Sequence, residues 1–120
     1  MILTTKFGGI DPITELMYAE QLDIIPLSKI RGVEFSENDI VIVTESQNIS
    51  IYQMKTLIQR CKQGCKLLIE GDYVIQRDVS NDVDCGMERM IEIFKNSNTF
   101  GCVKLKHNYR NPIGELADKM

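Results

Sequence analysis

The 120-residue chain has no apolar stretch near the ~18 residues needed to span a bilayer, and none is expected to enter a membrane. Met1 to Phe7 is too short for a signal peptide and has no cleavage site, which makes the cytoplasm the expected compartment. The four cysteines, Cys61, Cys65, Cys85 and Cys102, form no C-x-x-C pair, and His107 is the single histidine. That set argues against a structural zinc site and for reduced thiols packed in a core. An excess of positive charge is also missing: the net charge is −3 and the pI about 5.1, so nothing attracts nucleic acid globally. A local patch remains, with Lys104, Lys106, His107 and Arg110 inside seven residues, read either as a nucleic-acid contact or as a solvated strand end. What is present, 43% hydrophobic and 26% charged residues with mean hydropathy −0.14, suits one small folded domain of the usual size, roughly 100–150 residues.

Short apolar runs alternate with helical patterns. Ile2 to Lys6 reads as a strand, and Asp11-Pro12 as the start of a helix bearing Ile13, Leu16 and Met17 on one face. Ile24 to Leu27 is a second strand candidate, confined to a sheet edge by Pro26. Ile40 to Thr44 is the strongest strand. Ser50-x-x-Gln53 is a capping box, followed by Ile51, Met54, Leu57, Ile58 and Cys61 at helical spacing, with Gly64 expected as the left-handed cap. Lys66 to Glu70 is a further strand ending at Gly71-Asp72, and residues 71–86 form a polar loop. Met87, Met90, Ile91 and Phe94 mark the next helix as a core-packing face, Gly101 to Lys106 the last strand, and Asn111-Pro112 the cap of a closing helix. This order predicts an α/β fold, a parallel sheet layered between helices. Ligands of such sheets lie beyond the carboxyl ends of the strands, where Thr44-Glu45, Gly71-Asp72 and His107 to Arg110 fall.

Residues 40–48, IVIVTESQN, carry the most specific signal: a β-branched strand running into a carboxylate and two amides. P-loop nucleotidases place a charge beside a Mg²⁺-bound phosphate in this way. Their phosphate cradle, GxxxxGK[ST], occurs nowhere in the chain.

Taken together, Lys29-Ile30-Arg31-Gly32, IVIVTESQN, Gln53-Met54-Lys55 and Gly64-Cys65-Lys66 running into Gly71-Asp72 resemble the PhoH-like ATPases. The closing stretch, from Cys85-Gly86 through Phe94-Lys95 to Arg110 and Glu115-Leu116-Ala117, looks most like the branch with an N-terminal PIN domain. The resemblance covers nearly the whole chain. It implies an incomplete P-loop core of the superfamily 1 helicase type, with residues 1–120 its C-terminal half and Met1 to Lys6 the strand that follows the phosphate-loop helix.

Roles implied by the resemblance attach to particular residues. Glu45 matches the acid that activates or orients the attacking water; its plainer role is a charge near the helix starting at Ser50. Thr44 stands where the family has a Mg²⁺-associated Asp, and could reach a metal only weakly, through water. Gln47 and Asp72 match phosphate-sensing positions, and Gln76 matches another displaced by one residue. Arg31 matches an arginine near a subunit boundary, and Arg110 is a candidate for stabilising charge on the γ-phosphate. Surface solvation is the plainer role for both arginines.

The resemblance implies ATP and Mg²⁺ as cofactors of the complete protein and RNA metabolism as its setting. Without the loop lysine and amides the isolated chain is expected to be inactive and to need no cofactor. The expected partner is the missing N-terminal half or another polypeptide with the P-loop; RNA and a second copy of the chain are further candidates. The competing reading is a degenerate, non-catalytic module that binds RNA or protein. In nucleotidases of this type the phosphate-loop strand lies between the strands ending at Asp72 and near Cys102 to Leu105. With that strand absent, those two are expected to pair directly or to receive a strand from another chain.

Overall fold

A computed structural model of the protein describes residues 12–73, 84–107, 109, 111–117 and 119–120. The expected strand at Ile2 to Lys6, the cap at Asp11 and most of the 71–86 loop lie outside them. The chain divides into two compact units, Met1–Ile30 and Arg31–Met120.

In the first unit, α1 spans Pro12–Tyr18. Its end is closed by Glu20 in the left-handed region (φ 56), with the N–H groups of Gln21 and Leu22 donating to the Leu16 carbonyl at 2.9 and 3.2 Å. Residues 24–27 do not form the expected edge strand: the chain is irregular up to a 3₁₀ helix over Leu27–Gly32, opened by the Lys29 N–H donating to the Pro26 carbonyl. A proline-containing apolar run with no ladder partner among the described residues has no reason to stay extended.

The second unit is built on a βαβ unit: β1 (Ile40–Val43), α2 (Ile51–Gln59) and β2 (Lys66–Ile69). β1 and β2 pair in parallel, Ile40 opposite Lys66 and Val43 opposite Ile69. Phe35 and Cys61 form an isolated parallel bridge before the strands, and the Ser46 N–H donates to the Glu70 carbonyl just beyond them. α2 starts where the sequence specifies. Ser50 Oγ accepts from the Gln53 N–H at 3.2 Å and Gln53 Oε1 from the Ser50 N–H at 3.1 Å, satisfying two of the orphan donors. It stops earlier than expected, at Gln59. Gly64 (φ 90) instead occupies the left-handed position of a turn, Lys62 to Cys65, that feeds β2.

α3 (Gly86–Phe94) packs against α2, and the core of this unit is Ile49, Met54, Leu57, Cys85 and Met90. Gly86 permits the approach, because a Cβ there would lie 2.5 Å from the Ser50 carbonyl oxygen and 2.7 Å from the Met54 Cβ. The ring of Phe94 meets that of Phe100 edge-on, with 5.9 Å between centroids. α4 (Pro112–Ala117) is capped as expected, Asn111 Oδ1 accepting from the Gly114 N–H at 2.8 Å.

The expected strand over Gly101 to Lys106 is not formed. Residues 101–107 are exposed, Val103 and Leu105 at 86% and 87%, and among the described residues β2 pairs with β1 alone. Direct pairing of that segment with the strand before Asp72 is therefore corrected: apolar alternation makes a strand only where a neighbour offers a ladder. One face of the two-stranded sheet is likewise open, with Ile40, Ile42 and Leu68 exposed by 62%, 66% and 56% while Val41, Val43, Leu67 and Ile69 are half-buried.

Candidate functional site

The carboxyl ends of β1 and β2 meet in a knot of polar groups. After Val43 the chain passes through exposed Thr44 and turns sharply at Glu45, which sits in the left-handed region at φ 53, ψ 37. That conformation costs a residue with a Cβ about 1–2 kcal/mol and persists where surrounding contacts dictate it. Here they do. The Glu45 N–H donates to Glu70 Oε1 at 3.0 Å, and Glu45 Oε2 accepts from Gln47 Nε2 at 2.6 Å.

The turn places Ser46 and Gln47, the first two residues of a 3₁₀ turn over Ser46–Asn48, in the interior at 0% and 2% exposure. Two buried polar side chains need partners, and both have them. Ser46 Oγ donates to the Glu70 carbonyl at 2.7 Å and lies 3.1 Å from Met87 Sδ. Gln47 is used at both ends of its amide: Nε2 donates to Glu45, and Oε1 accepts from the Asp72 N–H at 3.2 Å. Its carbonyl accepts from the buried Cys85 thiol at 3.6 Å, and the next turn is joined to α3 by the Gly86 N–H donating to the Ile49 carbonyl at 2.7 Å. Gly71 completes the junction. A Cβ there would stand 2.6 Å from Gln47 Oε1, 2.8 Å from Ser46 Oγ and 3.0 Å from the Gln47 nitrogen.

Of the residues singled out from the sequence, the structure thus brings together Glu45, Gln47 and Asp72, with Thr44 beside them on the chain. Gln47 links the carboxylate after β1 to the backbone after β2. Arg31 is engaged elsewhere, its Nη2 donating to the Tyr52 hydroxyl and its guanidinium 5.2 Å from the centre of that ring. Gln76 and Arg110 lie outside the described residues.

Sequence reasoning missed Ser46, Glu70 and the structural part of Gly71. Gly71 was visible as a glycine directly after a strand, the position where a close backbone approach demands one. Nothing in the pattern marks Glu70 as the acceptor of a turn N–H, because that bond joins residues 25 positions apart.

Chemically, the arrangement can hold one carboxylate at a fixed place at the sheet edge. Among the described residues no three His, Cys, Asp or Glu side chains converge to hold a metal ion, and Thr44 adds no charge. No described helix is long and apolar enough to cross a membrane.

Comparison with known proteins places these features in a family. The chain is 29% identical to Protein PhoH2 of Bacillus subtilis (strain 168) over 113 residues, 93% of this chain and 25% of that protein. It is 31% identical to Protein PhoH of Escherichia coli (strain K12) over 84 residues, 70% of this chain and 23% of that protein. A PhoH-like protein of Bacillus subtilis is 32% identical over 107 residues, covering 88% of this chain and 33% of the relative. The chain thus spans about a quarter to a third of the length of these relatives. No solved structure gives a significant match. The family model described as PhoH-like protein matches residues 4–117, and the chain belongs to that family of P-loop nucleoside triphosphatases.

Proposed function

We propose that this chain supplies the acid- and sensor-bearing half of an ATP-hydrolysing site whose phosphate cradle comes from another stretch of polypeptide. Family membership points to an ATPase-related role. The observation that carries the finer reading is the Gln47 bridge, which fixes the Glu45 carboxylate relative to Asp72 at the strand ends where α/β sheets bind ligands. In the complete site Glu45 would accept a hydrogen bond from the attacking water and orient it. The left-handed turn and the Gln47 amide hold that oxygen in place before substrate arrives. Mg²⁺ would need donors besides these residues.

The open sheet face fits the same reading. Parallel sheets are ordinarily covered on both sides, and Ile40, Ile42 and Leu68 are the aliphatic surface that the rest of a nucleotidase core would cover. Coupling to RNA is a further part of the proposal, supported by the exposed Lys104, Lys106 and His107, with the Tyr109 ring 6.2 Å from that of His107.

Two measurements test it. Calorimetry with ATP and Mg²⁺ is expected to show no binding to the chain alone. Mixed or fused with a PhoH-type segment carrying the GxxxxGK[ST] loop, it should hydrolyse ATP, and Glu45→Gln should abolish turnover while nucleotide binding persists. Wild-type turnover in that variant would remove Glu45 from the mechanism. Failure to gain any activity would favour the non-catalytic module, to which Thr44 in place of an acid already points.

A further inference from the structure

Glu70 grips the turn that follows β1 through four hydrogen bonds. Its N–H donates to the Val43 carbonyl at 3.0 Å, and its carbonyl accepts from the Ser46 N–H at 3.1 Å and from Ser46 Oγ at 2.7 Å. Any residue but proline could make those bonds, since they use only the backbone of position 70. The fourth needs the side chain: carboxylate Oε1 accepts from the Glu45 N–H at 3.0 Å. Thr44 and Glu45 are the residues enclosed between Val43 and Ser46, and Glu45 is the one in the left-handed region, at φ 53.

Glu45 is therefore held at both ends. Gln47 Nε2 binds its carboxylate at Oε2, and Glu70 binds its backbone N–H. A hold on the tip alone does not aim a glutamate, because a rotation at φ moves Cβ and the flexible side chain follows. The bond to the N–H fixes the peptide plane before Glu45, and an ionised acceptor makes that bond stronger than a neutral one would. Left-handed backbone is costly for a residue with a Cβ, so the turn gains by relaxing once the bond is lost. Glu70 is itself exposed, which leaves this bond, and not core packing, as the work of its carboxylate.

We propose that Glu70 is a positioning residue for ATP hydrolysis in the complete site: through the Glu45 N–H, its carboxylate sets the direction in which the Glu45 carboxylate meets the attacking water. The proposal rests on the role assigned to Glu45 under Proposed function. It makes the aim of an acid that follows β1 depend on the residue that follows β2. Misaiming of this kind slows the chemical step and leaves nucleotide binding, which the phosphate cradle supplies, nearly as it was.

The test compares wild type, Glu70→Ala and Glu70→Gln in two measurements. In the chain alone, NMR of Glu45 reads the bond. Glu70→Ala should speed hydrogen exchange of the Glu45 amide by about tenfold and move its Cα and Hα shifts away from left-handed values. Glu70→Gln keeps an accepting oxygen and should hold both near wild type. In the assembly with a GxxxxGK[ST]-bearing segment, Glu70→Ala should lower kcat by about ten- to a hundredfold while KM for ATP changes by less than about twofold, and Glu70→Gln should return to within about threefold of wild type. A purely structural residue would lower the unfolding midpoint and leave kcat of the folded assembly unchanged. An unaltered Glu45 amide in Glu70→Ala, an unchanged kcat, or a Gln variant as slow as the Ala variant would each overturn the proposal. Failure of the underlying role is seen separately, as an inactive wild-type assembly or as full turnover in Glu45→Gln. Either would overturn this proposal together with that role, even where the amide measurement confirms the bond.

Discussion

The polar junction beyond the strands and the open face of the sheet differ in what they leave unsatisfied. At the junction, Ser46 and Gln47 are buried and each polar group of their side chains has a partner within the chain. On the open face, a few residues earlier, Ile40, Ile42 and Leu68 expose more than half of their surface. The chain is thus self-sufficient in hydrogen bonds around Glu45 and deficient in apolar cover on its sheet. Buried polar groups have to be satisfied locally and at once, since each unmet one costs about 1–3 kcal/mol. Exposed aliphatic side chains cost far less and can await a covering surface.

If the junction is as tightly built as it looks, Gly86→Ala should give the largest loss. Its new Cβ meets the Ser50 and Ile49 carbonyls, which cannot swing aside, and about 2–3 kcal/mol should vanish from the urea-unfolding free energy. Stability unchanged by that substitution would mean that α3 does not sit this close to α2. Gln47→Leu keeps the volume but deprives the Glu45 carboxylate of its donor and the Asp72 N–H of its acceptor. A loss of about 1–3 kcal/mol is expected by the same measurement, and a neutral result would deny the bridge its structural role.

Ser50→Ala removes half of the capping box and should lower the thermal midpoint by the equivalent of about 1 kcal/mol; no change would mean that water replaces the hydroxyl without cost. On the open face the expectation is smallest. Ile42→Thr and Leu68→Thr, singly, should shift the stability of the isolated chain by no more than about 0.5 kcal/mol, because side chains already in water lose little by shedding apolar surface. A loss several times larger would show the face to be covered in solution, and would dissolve the contrast with the junction.

Much of the fold was legible from short-range pattern. The β-branched run at Ile40, the Ser50 capping box, the Met90 face of α3 and the Asn111 cap each act over a few residues, and each appears where the sequence places it. The misplaced elements share a different cause. Residues 24–27 and 101–106 carry enough apolar character for strands, yet a strand exists only through a neighbour, and no property of Val103 or Leu105 reports whether one is there. Gly64 was correctly a left-handed glycine, but it serves the turn into β2, because the Phe35–Cys61 bridge draws the chain out of helix before that point.

The candidate site divides along the same line. Its residue types and order, Thr44, Glu45, Gln47 and Asp72 after two β-branched or aliphatic runs, belong to the sequence, as does the absence of a phosphate loop. Only the tertiary structure decided that Glu45 adopts a left-handed turn, that Glu70 receives its N–H, and that Gln47 is buried as a bridge instead of reaching outward. Those outcomes depend on bonds spanning about 25 positions, which form only after β2 has paired with β1 and brought Glu70 and Asp72 alongside. Local periodicity and capping are energies within one segment of chain, whereas the aim of a buried amide is fixed by whichever donors and acceptors the folded neighbours leave unpaired.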